Sequence, residues 1–325
     1  MKPKVLVTRK IYERPLQLLR EAAEVTINLE ERSLSEAEII AQVPGKIGIL
    51  SMGGDPMNAR VFEAGKDLKI VANNAVGFNN IDVAAATRFK IAATNTPDVL
   101  TDTTADLAFA LILGVARRIV EGDRYVRGGK WVGWKPDLMI GLDVHGKNLG
   151  IVGLGRIGSA VSRRAQGFGM KIAYYDIRRL DPAIEQHHQL QFMPLRELLK
   201  SSDFVTLHVP LDASTRHMIG RKELQLMKKT AFVINASRGP VIDEQALVEA
   251  LRSGWIAGAG LDVFEAEPKV SPELMEMNNT LLLPHIGSAT DETREKMVTT
   301  AVNNILAVIR GEVPPTILNP EIYRK

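Results

Sequence analysis

One stretch of this chain, GIVGLGRIGSAV at 150–161, narrows the fold more than any other. It places G-x-G-x-x-G at Gly153, Gly155 and Gly158. The pattern alone is common. Here a strand-like run precedes it and a helical pattern follows. A second strand-like run, KIAYYD, then ends in Asp176, 23 positions after Gly153. A dinucleotide-binding βαβ unit requires that order. Gly153 permits the tight turn, Gly155 lets backbone approach a pyrophosphate, and Gly158 lets helix and strand pack closely. The helix start offers unpaired N–H groups and partial positive charge to the phosphates. The plainer reading, glycines in an ordinary βα turn, loses its force once that context is counted. Asp176 is expected to bind the adenosine ribose hydroxyls and to repel a 2′-phosphate, so NAD is favoured. NADP is the alternative, because Arg178 and Arg179 follow at once and either could meet a 2′-phosphate.

The rest of the chain repeats the βα style. KVLVTR (4–9), VTINL (25–29), IGILS (47–51), KIVANNAVG (69–77) and IAATNTP (91–97) read as strands, separated by helical patterns. After GIVGLG and KIAYYD come DFVTLHVPL (203–211), AFVINASRG (231–239), AGAGLDVF (257–264) and TLLLPH (280–285). Strands apolar on both faces, alternating with helices, predict parallel sheets covered on both sides. The length of 325 residues suits about two domains. A seam is expected near residue 100, where TDTTADLAFALILGVARRIVEG (101–122) reads as one long helix. A last helix, 292–311, follows the second sheet, and either domain could receive it.

Composition removes several classes of function. There is no cysteine, which excludes disulfides, a thiolate nucleophile and zinc–thiolate sites. The formal charge is only +3 and no run concentrates it, which argues against nucleic-acid or membrane binding. The longest apolar run, LAFALILGV, is far short of the roughly 20 residues a bilayer needs. The N-terminus reads as a first strand without the apolar stretch of a signal peptide, so a cytoplasmic location is expected. No close spacing of His with Asp or Glu suggests a metal site.

A nicotinamide enzyme acting on a ketone needs a proton donor and a cation to hold the substrate. A carboxylate-bearing 2-keto acid suits a guanidinium. Three residues sit at or just past the carboxyl ends of successive strand candidates, where open α/β sheets bind ligands. They are Arg238 in NASRGPVID, Glu267 in EAEP and His285 in LLLPHIGSAT. Each alone has a plainer reading: a surface ion pair, a loop acid (as for Glu265 beside it), a strand-end histidine. Together, after a nucleotide motif, they point to catalysis.

With NNAVGFNNID (73–82), NTPDVLTDTTADLAFAL (95–111), GIVGLGRIG, NASRGPVIDEQAL, AGAGLDVFEAEP and PHIGSAT in view, the chain resembles the D-isomer-specific 2-hydroxyacid dehydrogenases over essentially its whole length. The likeness is strongest to the glyoxylate/hydroxypyruvate reductase and 2-ketogluconate reductase branch. The resemblance implies an α/β protein of two Rossmann-like, flavodoxin-like doubly wound domains with the active site in a cleft between them. It implies a discontinuous substrate domain, 1–100 plus 287–325, and an NAD(P)-binding domain, 101–286. It implies a homodimer and reduction of a small 2-keto acid to a D-2-hydroxy acid.

By the same resemblance Arg238 binds the substrate, and Glu267 pairs with His285, the acid/base. A neighbouring carboxylate favours the charged imidazolium, which suits proton donation. Backbone N–H groups at Val76 and Gly77 would hold the substrate carboxylate. Thr104, Arg156, Ile157, Pro210, Thr215, Ala236, Asp262 and Gly287 would lie along the cofactor, beside the three motif glycines and Asp176, and Arg178 joins them from its place just after Asp176.

Val76 stands where a phosphite-oxidising relative would carry lysine, and Glu267 where a formate dehydrogenase would carry glutamine. The chain stops soon after Ile317, without the regulatory domain often found on phosphoglycerate dehydrogenases. A rival of another class is a non-catalytic NAD-sensing protein, like the co-repressors that share this fold. Their usual tails are missing here. Trp131 and Trp134 lie in the loop after the long helix, as anchors, dimer contacts or covers for the substrate. The loop SMGGDPM (51–57) is expected to set substrate size, and His208 is expected to be a hydrogen-bonded strand histidine.

Overall fold

The structure is a computed structural model and describes residues 1–324. The chain divides into two compact units: Met1–Leu100 with the segment from Ser288 onward, and Thr101–Gly287.

In the first unit five strands run parallel: β1 (Lys4–Val7), β2 (Glu24–Ile27), β3 (Gly48–Met52), β4 (Ile70–Asn74) and β5 (Ala92–Thr94). Their order is β2-β1-β3-β4-β5. Side chains alternate between two faces, as strand geometry requires. Leu6, Ile49, Val71 and Ala93 meet the helices between the strands through Ile39, Val61 and Phe62. Val5, Leu50, Ile70 and Ala72 face Leu16 and Leu19 of helix Glu13–Ala22, and Val298, Val302 and Ile305 of helix Asp291–Ile309. The chain's last long helix thus completes the core of the first sheet. A Cβ added to Gly48 would lie 3.1 Å from Ile70 and 3.7 Å from Ile305.

The second unit has seven parallel strands: β6 (Asn148–Val152), β7 (Lys171–Tyr175), β8 (Leu190–Phe192), β9 (Phe204–Leu207), β10 (Phe232–Asn235), β11 (Gly258–Leu261) and β12 (Thr280–Leu282). The order is β12-β11-β10-β9-β6-β7-β8, so the winding reverses between β6 and β9. Open sheets of this kind bind ligands at the carboxyl ends beside that switch. The glycine motif leaves β6 there.

Two expectations need correction. The helical pattern at 101–122 is not one helix. Helix Thr101–Ala116 stops, Arg118 takes a left-handed conformation (φ 54°), and helix Ile119–Arg127 begins. The cause is tertiary. The Ala116 carbonyl accepts the Leu142 N–H at 2.9 Å, and Gly141 passes so close that a Cβ there would sit 2.3 Å from that oxygen. Arg118 is then fixed by a forked pair with Glu121, at 2.8 and 2.7 Å. Edge strand β8 was not expected at all. Its three residues lie in a polar stretch, QHHQLQF, that shows no strand pattern.

Candidate active site

The cofactor loop follows from contacts that only glycine allows. Gly153 lies at φ 93°, and a Cβ there would be 2.8 Å from the His208 carbonyl carbon. At Gly158 a Cβ would be 2.1 Å from the Gly153 oxygen, closing the helix onto the turn. At Gly155 a Cβ would meet nothing within 4 Å. No protein packing requires that glycine, so a bare backbone there serves an approaching ligand. Gly155 is also the N-cap of helix Arg156–Gly167 and offers no side-chain cap to its amides. The three positions fit a dinucleotide phosphate.

Asp176, at the end of β7, accepts hydrogen bonds from the Leu154 N–H (2.8 Å) and the Arg178 N–H (3.1 Å). The carboxylate therefore steadies the glycine turn itself. The two arginines after it separate in role. Arg179 forks onto Glu185 at 2.9 and 2.8 Å and lies 5.4 Å over the Phe192 ring. Its guanidinium and the Tyr174 hydroxyl hold the Glu185 carboxyl down at about 2. Arg178 is exposed beside the turn and is the arginine better placed for a ligand.

The catalytic candidates sit on three adjacent strand ends. Arg238 follows β10, where Asn235 organises the turn: its Oδ1 accepts the Ser237 N–H (3.0 Å) and its Nδ2 donates to the Arg238 carbonyl (2.9 Å). Burial pushes the Arg238 guanidinium down from its ordinary range, and the charge of Glu267 opposes this. After β11, Glu267 Oε1 accepts the Phe264 N–H at 3.0 Å, and Oε2 lies 2.8 Å from His285 Nδ1. Burial raises the Glu267 carboxyl, but His285, the Phe264 amide and Arg238 together outweigh it and leave it lowered. His285, after β12, is itself left-handed (φ 55°). Its N–H donates to the Asp262 carbonyl (2.9 Å), and the Asp262 carboxylate takes the next two amides, Ile286 at 2.7 Å and Gly287 at 2.8 Å. Asp262 thus holds the turn that aims the imidazole. Desolvation raises its carboxyl, against the pull of those amides.

Of the other expected cofactor neighbours, Thr104 and Gly287 come together: a Cβ on Gly287 would be 3.2 Å from Asp262 Oδ2 and 3.4 Å from Thr104 Cγ2. Thr215 Oγ1 donates to the Pro210 carbonyl at 2.7 Å, fixing the loop after β9. Ala236 is buried at the end of β10, while Arg156 is exposed and Ile157 half-buried at the helix start. His208 bonds Thr206 through Nε2 at 2.9 Å, and its Nδ1 is shielded from solvent without a partner.

In the first unit, the carbonyls of Val76 and Gly77 are tied back by Asn95 Nδ2 (2.7 Å) and Asn73 Nδ2 (3.0 Å). Their N–H groups meet no protein acceptor among the described residues. Loop 51–57 is anchored by buried Asp55, which accepts the Met52 N–H at 2.7 Å and the Thr8 hydroxyl. Asn73, Asn95, Asn235 and the turn-holding role of Asp262 were not expected. Asn235 carried a signal, the N-x-S run of an Asx turn. Asn95 and Asp262 act on segments 19 and 24 positions away and Asn73 on the loop that follows it, and none of these carried one. Among the described residues no three His, Asp or Glu side chains gather as a metal ion would need, and no helix is long and apolar enough to cross a membrane.

A model of the D-isomer specific 2-hydroxyacid dehydrogenase NAD binding domain matches residues 109–287. The chain is 52% identical to a glyoxylate reductase of Korarchaeum cryptofilum, covering 100% of this chain and 98% of that protein. It is 50% identical to a glyoxylate reductase of Thermococcus onnurineus, covering 99% and 97%. Among solved structures it is similar to a glyoxylate reductase from Paecilomyes thermophila, 35% identical, with a TM-score of 0.87 and coverage of 98% and 99%. It is equally similar to an NADPH-dependent glyoxylate/hydroxypyruvate reductase from Sinorhizobium meliloti, solved with NADP and malonate: 35% identical, TM-score 0.87, coverage 98% and 97%.

Proposed function

This chain belongs to the D-isomer specific 2-hydroxyacid dehydrogenases, and we propose that it reduces glyoxylate and hydroxypyruvate to their hydroxy acids. The observation that carries the reading is the 2.8 Å pair between His285 Nδ1 and Glu267, one strand end from Arg238. When bound, the reduced nicotinamide supplies the hydride. With Nδ1 committed to Glu267, Nε2 is the nitrogen that hands a proton to the carbonyl oxygen. Glu267 balances the imidazolium before transfer and holds the ring in one orientation. Arg238, with a fixed fork and a permanent charge, grips the carboxylate and keeps the carbonyl in line. The Val76 and Gly77 amides are assigned to the same carboxylate. Gly153, Gly155, Arg156, Ile157 and Gly158 carry the pyrophosphate, and Asp176 the adenosine ribose. Exposed Arg178 makes NADP a second coenzyme beside NAD. In the first unit we assign Met1–Leu100 and the returning C-terminal helix to substrate binding.

We also read the protein as a cytoplasmic homodimer. Helix Ile119–Arg127 buries no side chain, and Ile119, Val126, Trp131, Val132, Trp134 and Ile140 present apolar surface on it and on the loop after it. Such a patch suits a second copy. The lack of cysteine suits a reducing compartment.

The test is loss of NADH and NADPH absorbance with glyoxylate, hydroxypyruvate, 2-ketogluconate and pyruvate. Replacing the acid/base should lower kcat by about 10²–10⁴. Reduction by His285→Ala near the unaltered rate would remove His285 from the mechanism. A folded protein that binds NADH but turns over none of the acids would instead be a sensor.

A further inference from the structure

A second histidine–glutamate pair stands beside the catalytic one. His217 Nε2 lies 2.6 Å from Glu265 Oε1, and Glu265 is two residues ahead of Glu267 on the same loop. The His217 backbone N–H donates to the Pro240 carbonyl at 2.8 Å, two residues past Arg238. One residue thus grips the arginine turn with its backbone and the glutamate turn with its ring. Those turns are already pressed together: a Cβ on Gly239 would fall 1.9 Å from the Phe264 oxygen and 2.6 Å from the Glu265 nitrogen. Glu265 is held from its other side as well. Its Oε2 accepts the Glu244 N–H (3.2 Å), and its own N–H donates to Glu244 Oε2 (3.0 Å). Arg216 approaches the same carboxylate at 3.9 Å.

His217 takes a left-handed conformation, φ 52°, which is uncommon outside glycine though histidine enters it more readily than most residues. The ring is partly exposed, so its fixed points are its two hydrogen bonds, from the backbone N–H and from the ring. Both end on catalytic turns.

We propose that His217 is a positioning residue for reduction. Through Glu265 and Pro240 it locks the Glu267 turn and the Arg238 turn in register, so that Glu267 meets His285 while Arg238 holds the substrate. The inference rests on the roles proposed for Glu267, Arg238 and His285. A side chain that sets such geometry moves rate more than coenzyme binding, because misplacement by about 1 Å costs up to about a hundredfold.

The experiment compares His217→Ala, His217→Gln and Glu267→Gln in the full-length enzyme with glyoxylate, over a range of pH. His217→Ala is expected to lower kcat/KM for the keto acid on the order of tenfold to a hundredfold. The Kd for NADH should change less than threefold. The alkaline limb of the rate profile should move the way Glu267→Gln moves it, because the loosened loop weakens the contact between Glu267 and His285. His217→Gln, whose amide can still donate to Glu265, should recover most of the rate and the position of the limb. If Glu267→Gln moves the limb and His217→Ala does not, the positioning role is wrong while the catalytic reading stands. If Glu267→Gln leaves the profile unmoved, the catalytic reading itself fails, and this inference with it. Equal losses in His217→Ala and His217→Gln would also overturn it.

Discussion

His208 should make the second unit sensitive to mild acid. It stands at the end of β9, directly behind the first glycine of the cofactor turn. Its Nε2 is engaged with Thr206, and its Nδ1 has neither solvent nor a partner. A charged ring would bury an N–H donor with nothing to receive it. Burial accordingly pushes the imidazole down to about 4, from 6.5. The sign follows from which state takes the proton first. As pH falls below about 6.5 the unfolded chain protonates this histidine while the folded chain refuses. Its contribution to stability is therefore complete above that pH, is lost progressively below it, and levels off near pH 4. At about 1.4 kcal/mol for each tenfold in proton concentration, the loss comes to about 3 kcal/mol. All three tryptophans, Trp131, Trp134 and Trp255, lie within Thr101–Gly287, and Trp255 packs against its core. Urea unfolding followed by tryptophan fluorescence thus reports on this unit. Carboxylates titrate over part of the same range, so the measured quantity is the difference between the unaltered protein and His208→Gln at each pH from 7.5 to 4.5. That difference should shift by at least about 2 kcal/mol in favour of the variant across the range. A difference constant to within about 0.5 kcal/mol would refute the argument, because the native ring would then be free to protonate.

Other outcomes follow from the cofactor turn. Gly158→Ala should weaken NADH binding at least about tenfold, since its Cβ would sit 2.1 Å from the Gly153 oxygen and must push helix and turn apart. NADH fluorescence titration would measure this, and unchanged affinity would mean the turn gives way freely. Asp176→Ser should shift the ratio of NADPH to NADH efficiency towards NADPH by roughly tenfold or more, as the carboxylate no longer repels a 2′-phosphate and Arg178 remains. Steady-state rates with both coenzymes decide it, and an unchanged ratio would confine Asp176 to its bonds with the Leu154 and Arg178 amides.

The fold was legible because parallel βα units write themselves in short apolar runs, and every strand but β8 was expected from them. What could not be read was where each element stopped. A helical pattern continued past Ala116, but the chain turned there because Leu142 and Gly141, more than 20 positions away, closed on its last carbonyl. The site residues were legible to the extent that their chemistry lies in their own side chains: Arg238, Glu267, His285, Asp176 and the glycines. Asn95 and Asp262 act by holding other segments' backbone. That work depends on neighbours brought close only by folding.

The strand ends join these observations. Several expected strands ran too far at their carboxyl ends: 69–77 against Ile70–Asn74, 203–211 against Phe204–Leu207, 231–239 against Phe232–Asn235, 257–264 against Gly258–Leu261. The surplus residues include Val76, Gly77, His208, Ala236, Arg238 and Asp262. Chain leaving a parallel sheet keeps extended-type residues but loses the regular ladder, so many of its amides and carbonyls need other partners. Asn73, Asn95, Asn235 and Asp262 supply several of them, the Val76 and Gly77 amides stay open, and the turns so organised carry the side chains assigned to catalysis and binding. Left-handed His285 is the sharpest case. The ladder ends at Leu282, three residues later the backbone reverses, and the Asp262 carboxylate at the end of the neighbouring strand takes the two amides that follow. A rigid sheet on one side and a satisfied turn on the other leave the imidazole little freedom except at Nε2, the atom that the proposed reaction requires.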